Sequence, residues 1–351
     1  PEAPRRSIVF AFWDAEELGM FGSKHWREHP TAPLEDVVAV VTLDMIGRLR
    51  NDELSVFGSR TAPGLRHFLA EKNEETGLRI QFPWDVKANS DHYIFFEREI
   101  PILLFHAGIH DDYHTPRDVA SKIDSQGMQR VARFTFRTVY GLAENHTRFD
   151  FREAARRESE WVRSRRFDHT PELPDRLGAG WEKQPAAEGG VRLDRVRFDS
   201  PAQKAGLQAG DRVLQFAGHP IESAEDLSGA ILTAEAPAEV AVARRGEAEP
   251  VRLTVPLSGR PWRLGVTWRR DEAEPGVVVL TYVAPGTPAA RAGLQAGDRL
   301  LQAGGHDVSD DDAFLEQVSE ATDALELLIE REGQIRIVTI HFTERELRRA
   351  A

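Results

Sequence analysis

Three short apolar runs dominate the first third of the chain: residues 7–13 (SIVFAFW), 37–43 (VVAVVTL) and 100–105 (IPILLF). Each run is too short for a typical helix and lacks the alternation of a half-exposed strand, so we predict strands that are covered on both faces. Helical periodicity occupies residues 16–28, 62–75 and 125–145. This order of elements predicts an α/β fold with a mostly parallel sheet and helices on both faces.

The pattern changes after this region. Residues 149–175 are strongly charged and then contain prolines, which predicts a charged helical spacer that ends in a linker. Beyond it the sequence repeats: AGLQAGD at 205–211 returns at 292–298, and RLG at 176–178 returns at 263–265. Both motifs return after 87 residues, so we interpret this region as a duplicated domain.

Each copy has Val, Leu and Ile runs broken by Gly and Pro, with one helical stretch, at 224–233 in the first copy and at 310–320 in the second. This pattern predicts two small, mainly β domains. We therefore divide the chain into four predicted regions, with boundaries at 1–148, 149–175, 176–258 and 260–345.

Composition narrows the possible partners. The 351 residues are 41% hydrophobic, which is enough for the packed cores of two or three domains. The 57 acidic and 45 basic residues give a net charge of -12, and no five consecutive residues carry the same charge. This balance argues against binding to nucleic acid or to an anionic membrane surface, because both require basic patches.

The chain contains no cysteine, which excludes disulfides, thiolate metal ligands and a cysteine nucleophile. Any transition metal must therefore be bound by His, Asp or Glu. No apolar run reaches the roughly 20 residues that span a bilayer, so we expect no membrane span. Residues 1–6 lack a signal-peptide core and lead almost directly into an apolar run, so we interpret them as a cut edge.

Acidic and imidazole side chains follow the predicted strands. Glu16 and Glu17 come just after the first apolar run, Asp44 follows the second, and residues 110–114 (HDDYH) follow the third. Open α/β sheets bind ligands beyond the carboxyl ends of their strands, so we expect these groups to meet at one edge. Carboxylates and imidazoles without thiols suit zinc or a similar divalent ion.

Each group has an ordinary alternative explanation. Paired glutamates can simply be stabilised by the dipole of a following helix. An aspartate at a strand end is often a turn or cap residue, and a loop histidine is often merely solvated. Only their joint placement favours a metal site.

Four motifs carry a family resemblance. They are FWDAEELGMFGS at 12–23, TLDMIGR at 42–48, SDH at 90–92 and DYHTPRD at 112–118. In order and spacing they resemble the dizinc aminopeptidases of metallopeptidase clan MH, which include bacterial leucyl aminopeptidases. The resemblance covers residues 5–146. It implies that Glu16 is the general base, that Tyr113 helps to hold the oxyanion, and that the zinc ligands are Glu17, Asp44 and His114.

The resemblance also implies supporting roles for Asp91, His92 and Asp118, although for Asp118 we favour a role as a helix cap. The family begins its ligand set with a His-x-Asp motif and a bridging aspartate upstream of the glutamate pair. The fifteen residues before Glu16 contain no histidine and only one aspartate, Asp14. We therefore expect this chain to be inactive alone and its residues 1–146 to be poorly stable.

The repeated domains resemble bacterial PDZ domains attached to secreted proteases. The resemblance rests on the two RLG loops and on the stretches SPAQKAGLQAGDRVLQFAGHPI and TPAARAGLQAGDRLLQAGGHDV. PDZ domains bind an extended peptide whose carboxylate is held by loop N–H groups. The corresponding positions here are Leu177, Gly178, Ala179, Leu264, Gly265 and Val266. An alternative is that the copies only pack or mediate assembly.

The resemblances together predict a zinc-dependent aminopeptidase, with two zinc ions in the complete enzyme and PDZ domains that bind peptide or protein chains. They imply a periplasmic or secreted bacterial location. One alternative is a non-catalytic PDZ module with a degenerate peptidase domain. Another keeps the fold but changes the reaction, since relatives include carboxypeptidases and glutaminyl cyclases. If the chain proves active alone, His92, His106 and His110 are the first substitute ligands to consider.

Overall fold

A computed structural model describes residues 3–168 and 170–342, which form two units. The first unit contains the residues up to Asp168 together with the short segments Arg270–Pro275 and Glu330–Arg336. The second unit contains the remaining described residues. The last three residues of the predicted second PDZ domain, 343–345, lie outside the described residues.

A four-stranded sheet forms the centre of the first unit. Its strands are β1 (Val40–Asp44), β2 (Glu53–Phe57), β3 (Arg79–Gln81) and β4 (Ile102–His106), in the order β1-β4-β2-β3. The β1–β4 and β2–β3 pairs are parallel, whereas β2 and β4 are antiparallel. The sheet is therefore mixed, and the prediction of an α/β fold with a mostly parallel sheet is confirmed.

The described residues up to 168 also form five helices: α1 (Phe21–Glu28), α2 (Leu65–Asn73), α3 (His92–Phe96), α4 (Ser125–Glu144) and α5 (Glu160–Phe167). Short 3-10 helices lie at Leu34–Asp36, Ala120–Lys122 and Glu153–Arg157. The longest helix, α4, begins where the Asp124 carboxylate accepts the Gly127 N–H at 3.0 Å. Its buried Phe134 stacks on Phe105 of β4 with ring centroids 5.1 Å apart, which joins helix and sheet in one core.

The prediction of a strand over residues 7–13 is wrong. No described strand pairs with this run, and Phe10 and Phe12 are 80% and 93% exposed. A strand needs a hydrogen-bonded neighbour, so an apolar run that lacks one remains irregular. The helix predicted over residues 16–28 begins only at Phe21, because Gly19 and Met20 have positive φ angles of 113° and 59°.

The second unit contains the first repeat and most of the second, and each repeat has its own mainly antiparallel sheet and core. The first repeat consists of β5 (Ala179–Trp181), β6 (Val191–Val196), α6 (Pro201–Lys204), β7 (Arg212–Phe216), β8 (His219–Pro220), α7 (Ala224–Thr233), β9 (Ala238–Ala243) and β10 (Val251–Val255). The second consists of β11 (Val266–Arg270), β12 (Val278–Val283), α8 (Pro288–Arg291), β13 (Arg299–Ala303), β14 (His306–Asp307), α9 (Asp311–Glu320), β15 (Ala324–Arg331) and β16 (Gln334–His341). The prediction of two small, mainly β domains is confirmed.

Candidate functional site

The glutamate pair lies in a tight turn before α1. The Glu16 carbonyl accepts the N–H groups of Gly19 and Met20 at 2.9 and 2.8 Å. Ala15 has φ 57°, a left-handed conformation that costs a non-glycine residue about 1–3 kcal/mol and is typical of functional sites. A Cβ on Gly22 would lie 2.6 Å from the carbonyl oxygen of Asp14, so position 22 requires glycine. Backbone packing therefore fixes the conformation of the turn that carries Glu16 and Glu17.

The loop after β4 carries His114 to this turn. His114 Nε2 lies 3.0 Å from Glu17 Oε1, although the two residues are 97 positions apart in sequence. His114 has φ 53°, and the ring of Tyr113 stacks on its imidazole with centroids 3.8 Å apart. The structure thus brings together Glu17 and His114, two of the predicted metal ligands.

Asp44 is the last residue of β1 and lies opposite His106, the last residue of β4, in the parallel ladder. Met45, which follows, has φ 57°, so the chain turns sharply at this point. Burial lowers the pKa of His106, while the negative charge of Asp44 opposes that shift. His106 Nδ1 accepts the Gly108 N–H at 2.9 Å, so one ring nitrogen is already used by the backbone.

Negative charges accumulate around Glu16. Burial is the largest cause that raises the pKa of Glu16, followed by the charges of Glu17, Asp91 and Asp44, while His114 acts in the opposite direction. Burial and the nearby Glu17, Asp44 and Glu16 also raise the pKa of the Tyr113 phenol, which keeps it protonated as a donor. Such a group of carboxylates attracts a cation.

Asp91 and His92 lie at the start of α3, and Asp91 is linked to α1. Both are buried, and the Ser23 hydroxyl of α1 donates a hydrogen bond to Asp91. Burial is the main cause that raises the pKa of Asp91. Burial also lowers the pKa of His92 to about 4, so its imidazole is neutral. Ser23 could not be identified from the sequence, because serine hydroxyls near helix starts are common and carry no distinct signal.

Arg48 ties the histidine loop to the end of β1. Its guanidinium donates to Asp112 at 2.9 Å and also to Asp118. Asp112 also accepts from Lys122 and Arg117, and these cations hold the pKa of its carboxyl well below the usual range. Asp118 binds Arg48, and the following 3-10 helix has Val119 at its N-cap without a side-chain cap bond, so the capping explanation of Asp118 has no support. The role of Arg48 leaves no local signal in the sequence, since its partners lie 64 and 70 positions away.

We expect Arg48→Gln to loosen residues 110–118, because it removes both ion pairs that join this loop to the sheet. Limited proteolysis should cleave the loop severalfold faster than in the wild type. Arg117→Gln is a matched control, because Arg117 also contacts Asp112 but is 67% exposed, whereas the Arg48 side chain is 17% exposed. Equal cleavage rates in the two variants would contradict the anchoring role.

The remaining histidines do not complete a larger metal-binding group. His110 lies 3.7 Å from Asp118, His92 is buried as the first residue of α3, and His106 faces Asp44. Within residues 3–168 and 170–342, no group of three or more His, Asp or Glu side chains is placed to hold a metal. Among the described donors, Glu17 and His114 therefore form a pair, and Asp44 lies near them.

The predicted PDZ loops begin the first strands of the two repeats. Leu177 and Leu264 are buried, and Gly178 and Gly265 have φ 73° and 78°. A Cβ on Gly178 would lie 2.4 Å from the Cβ of Ser200, so this loop position requires glycine. Ala179 follows at the start of β5, and Val266 starts β11.

Among the described helices, none is long and apolar enough to cross a membrane.

Comparisons with known families match separate parts of the chain. Residues 1–139 match the sequence model of peptidase family M28, and residues 193–244 and 279–340 match that of a PDZ domain. A probable periplasmic serine endoprotease DegP-like of Halomonas elongata is 30% identical over 42% of this chain and 36% of its own length. Human serine protease HTRA3 is 36% identical over 22% of this chain and 17% of its own length. The chain thus spans about a third or less of these curated relatives.

Solved structures give weaker likenesses. The LapA aminopeptidase of Legionella pneumophila is 22% identical, with 39% of each chain covered and a TM-score of 0.34. BSAP, a zinc aminopeptidase from Bacillus subtilis, is 24% identical over 40% of this chain and 37% of its own, also with a TM-score of 0.34. The HtrA3 PDZ domain bound to a phage-derived ligand is 22% identical over 23% of this chain and 83% of its own, with a TM-score of 0.21.

Proposed function

The N-terminal part of this chain is a peptidase family M28 domain that is followed by PDZ domains, and on that premise we propose that the protein is a zinc-dependent aminopeptidase. The observation that carries the proposal is the carboxylate–imidazole pair of Glu17 and His114, which lie 3.0 Å apart. Glu17 directly follows Glu16 in the chain. In this proposal the enzyme removes N-terminal residues from peptides, and the PDZ domains recruit or orient the chains.

The chemistry of the donor set fits zinc, because carboxylate oxygens and imidazole nitrogens are common ligands of that ion. Glu17 and His114 would hold one ion, and Asp44 would contribute to a second. Zinc held there would supply Lewis-acid polarisation of the scissile carbonyl and activation of water.

The neighbouring side chains have separate tasks in this proposal. Glu16 is partly buried and surrounded by negative charge, so its carboxylate accepts a proton and later returns it to the leaving amine. The Tyr113 phenol, beside His114, donates a hydrogen bond to the oxygen on which charge develops. Ser23 and the buried Asp91 and His92 support the turn from below.

The number of donors limits what this chain does alone. A catalytic zinc commonly has three protein ligands and a water, whereas the described residues bring only Glu17 and His114 together. We propose that the remaining donors come from outside the described residues. The same donor count favours a second candidate function, a non-catalytic peptide-binding protein.

Purified and supplied with zinc, residues 1–351 are expected to show no hydrolysis of leucyl or alanyl anilides, because two donors bind zinc weakly. The full-length protein should hydrolyse both, should lose activity on chelation, and should regain it with zinc. Chelator-sensitive turnover by residues 1–351 alone would contradict the donor count and point to His92, His106 or His110. If the full-length protein binds peptides but does not hydrolyse them, the result would favour the non-catalytic function.

We also propose that the protein acts in the periplasm or outside the cell. Similarity to probable periplasmic serine endoproteases of the DegP-like type supports this location. Signal-dependent export of a tagged full-length protein, followed by fractionation, tests it. Recovery in the cytoplasmic fraction alone would contradict the proposal.

A further inference from the structure

The two repeats share their fold but differ in the groove between the first strand and the longer helix. In the first repeat a cavity of about 250 Å³ lies between β5 and α7. It is lined by Leu177, Ala179, Trp181, Ile231 and Leu232, among others. Small-molecule pockets usually exceed roughly 300 Å³, so this mainly apolar space suits one large side chain of a peptide.

A tryptophan occupies the corresponding groove of the second repeat. Trp268 lies 87 positions after Trp181, and its indole N–H donates to the Asp311 carboxylate of α9 at 3.2 Å. Its ring meets Phe314 edge to face, with centroids 5.1 Å apart. These two contacts connect β11 to α9 across the groove.

The first repeat cannot form this closure, because its sequence differs at both contact positions. Ala224 stands where Asp311 stands in the second repeat, so Trp181 has no carboxylate there to accept its N–H. Leu227 stands where Phe314 stands, which removes the aromatic partner. Trp181 instead lines the open cavity.

The loops that precede the two strands differ as well. The Gly178 N–H donates to the Asp175 carboxylate at 2.6 Å, and Arg197 lies 2.9 Å from the same carboxylate. The first loop therefore already holds a carboxylate between an N–H group and a cation. In the second repeat the Gly265 N–H donates to the backbone carbonyl of Trp262, and Ala284 replaces the arginine.

We propose that capture of peptide C-termini is confined to the first repeat, which takes a free carboxylate and one large apolar side chain, while Trp268 keeps the second repeat closed. This inference rests on the proposed peptide-binding role of the PDZ domains. On binding, the peptide carboxylate replaces Asp175 at the Gly178 N–H and pairs with Arg197. The side chain of the last residue enters the cavity beside Trp181.

The test is a calorimetric titration of residues 1–351 with short peptides that end in Val, Leu or Phe, each prepared with a free and with an amidated C-terminus. We expect one site per chain and at least tenfold weaker binding of the amidated forms. Arg197→Gln should weaken binding of the free acid, since it removes the cation from the loop. Arg195→Gln is the matched control, because it removes the same charge from a neighbouring exposed position.

The paired tryptophans separate the repeats. Trp181→Ala should weaken the site by about tenfold or more. Trp268→Ala should leave the single site unchanged, because the second repeat has Ala284 in place of the arginine and its Gly265 N–H already donates to Trp262. Circular dichroism shows whether each variant is folded, and Arg197, with a side chain that is 60% exposed, provides a test that does not disturb a core. Two wild-type sites, or a site insensitive to both Arg197→Gln and Trp181→Ala, would overturn the inference and leave the peptide-binding role intact. An absence of all binding would overturn both, while anilide hydrolysis reports on the peptidase separately.

Discussion

Glu16→Gln in the zinc-loaded full-length protein is expected to lower kcat by about two to four decades and to leave the zinc content unchanged. Glutamine has nearly the shape of glutamate, so the turn held by the Glu16 carbonyl should persist. The amide, however, cannot take a proton from water. The loss therefore falls on the chemical step.

Steady-state kinetics on leucyl anilide measure this effect, and elemental analysis measures the zinc. Glu35→Gln is a suitable control, because this exposed glutamate lies in a different element, the 3-10 helix Leu34–Asp36. Near wild-type turnover by Glu16→Gln would show that another group accepts the proton.

Glu17→Ala and His114→Ala should each remove most of the bound zinc and abolish detectable turnover, because each deletes a donor of the same ion. The chain offers a matched control in α2, where His67 Nε2 lies 3.2 Å from Glu71 Oε1 in a similar exposed pair. His67→Ala should change neither zinc content nor activity. Full zinc occupancy in both Glu17→Ala and His114→Ala would contradict the ligand assignment.

The repeats are the part of the fold that the sequence predicts best. The common offset of 87 residues relates α7 to α9 and β7 to β13, and α7 occupies the predicted residues 224–233. Small β domains are punctuated by Gly and Pro, so their boundaries leave a local signal. The closing contact of Trp268 with Asp311 leaves no such signal, because it depends on how a strand and a helix meet.

The first third shows where local patterns are insufficient. The run at 37–43 corresponds to β1 and the run at 100–105 to β4, each shifted toward its C-terminal end, whereas residues 7–13 form no strand. Apolar composition favours a strand, but hydrogen-bonded neighbours decide whether one forms. The prediction also missed β2, which has mixed polarity and pairs antiparallel with β4.

The candidate site combines local and long-range information. Glu16, Glu17, Asp44 and His114 belong to recognisable motifs, and their roles stay predictions until they are tested. The ion pairs of Arg48 and the hydrogen bond from Ser23 to Asp91 join residues 64 to 70 positions apart. Such contacts follow from the tertiary fold and have no periodic trace in the sequence.

In the proposed mechanism the adjacent residues Glu16 and Glu17 have different tasks, one as the proton acceptor and the other as a metal ligand. The most direct test is the zinc content of Glu16→Gln and Glu17→Ala, prepared side by side in the full-length protein and compared with the wild type. We expect wild-type zinc in Glu16→Gln and a large loss in Glu17→Ala. Equal zinc in the two variants, whether both keep it or both lose it, would contradict this division of roles.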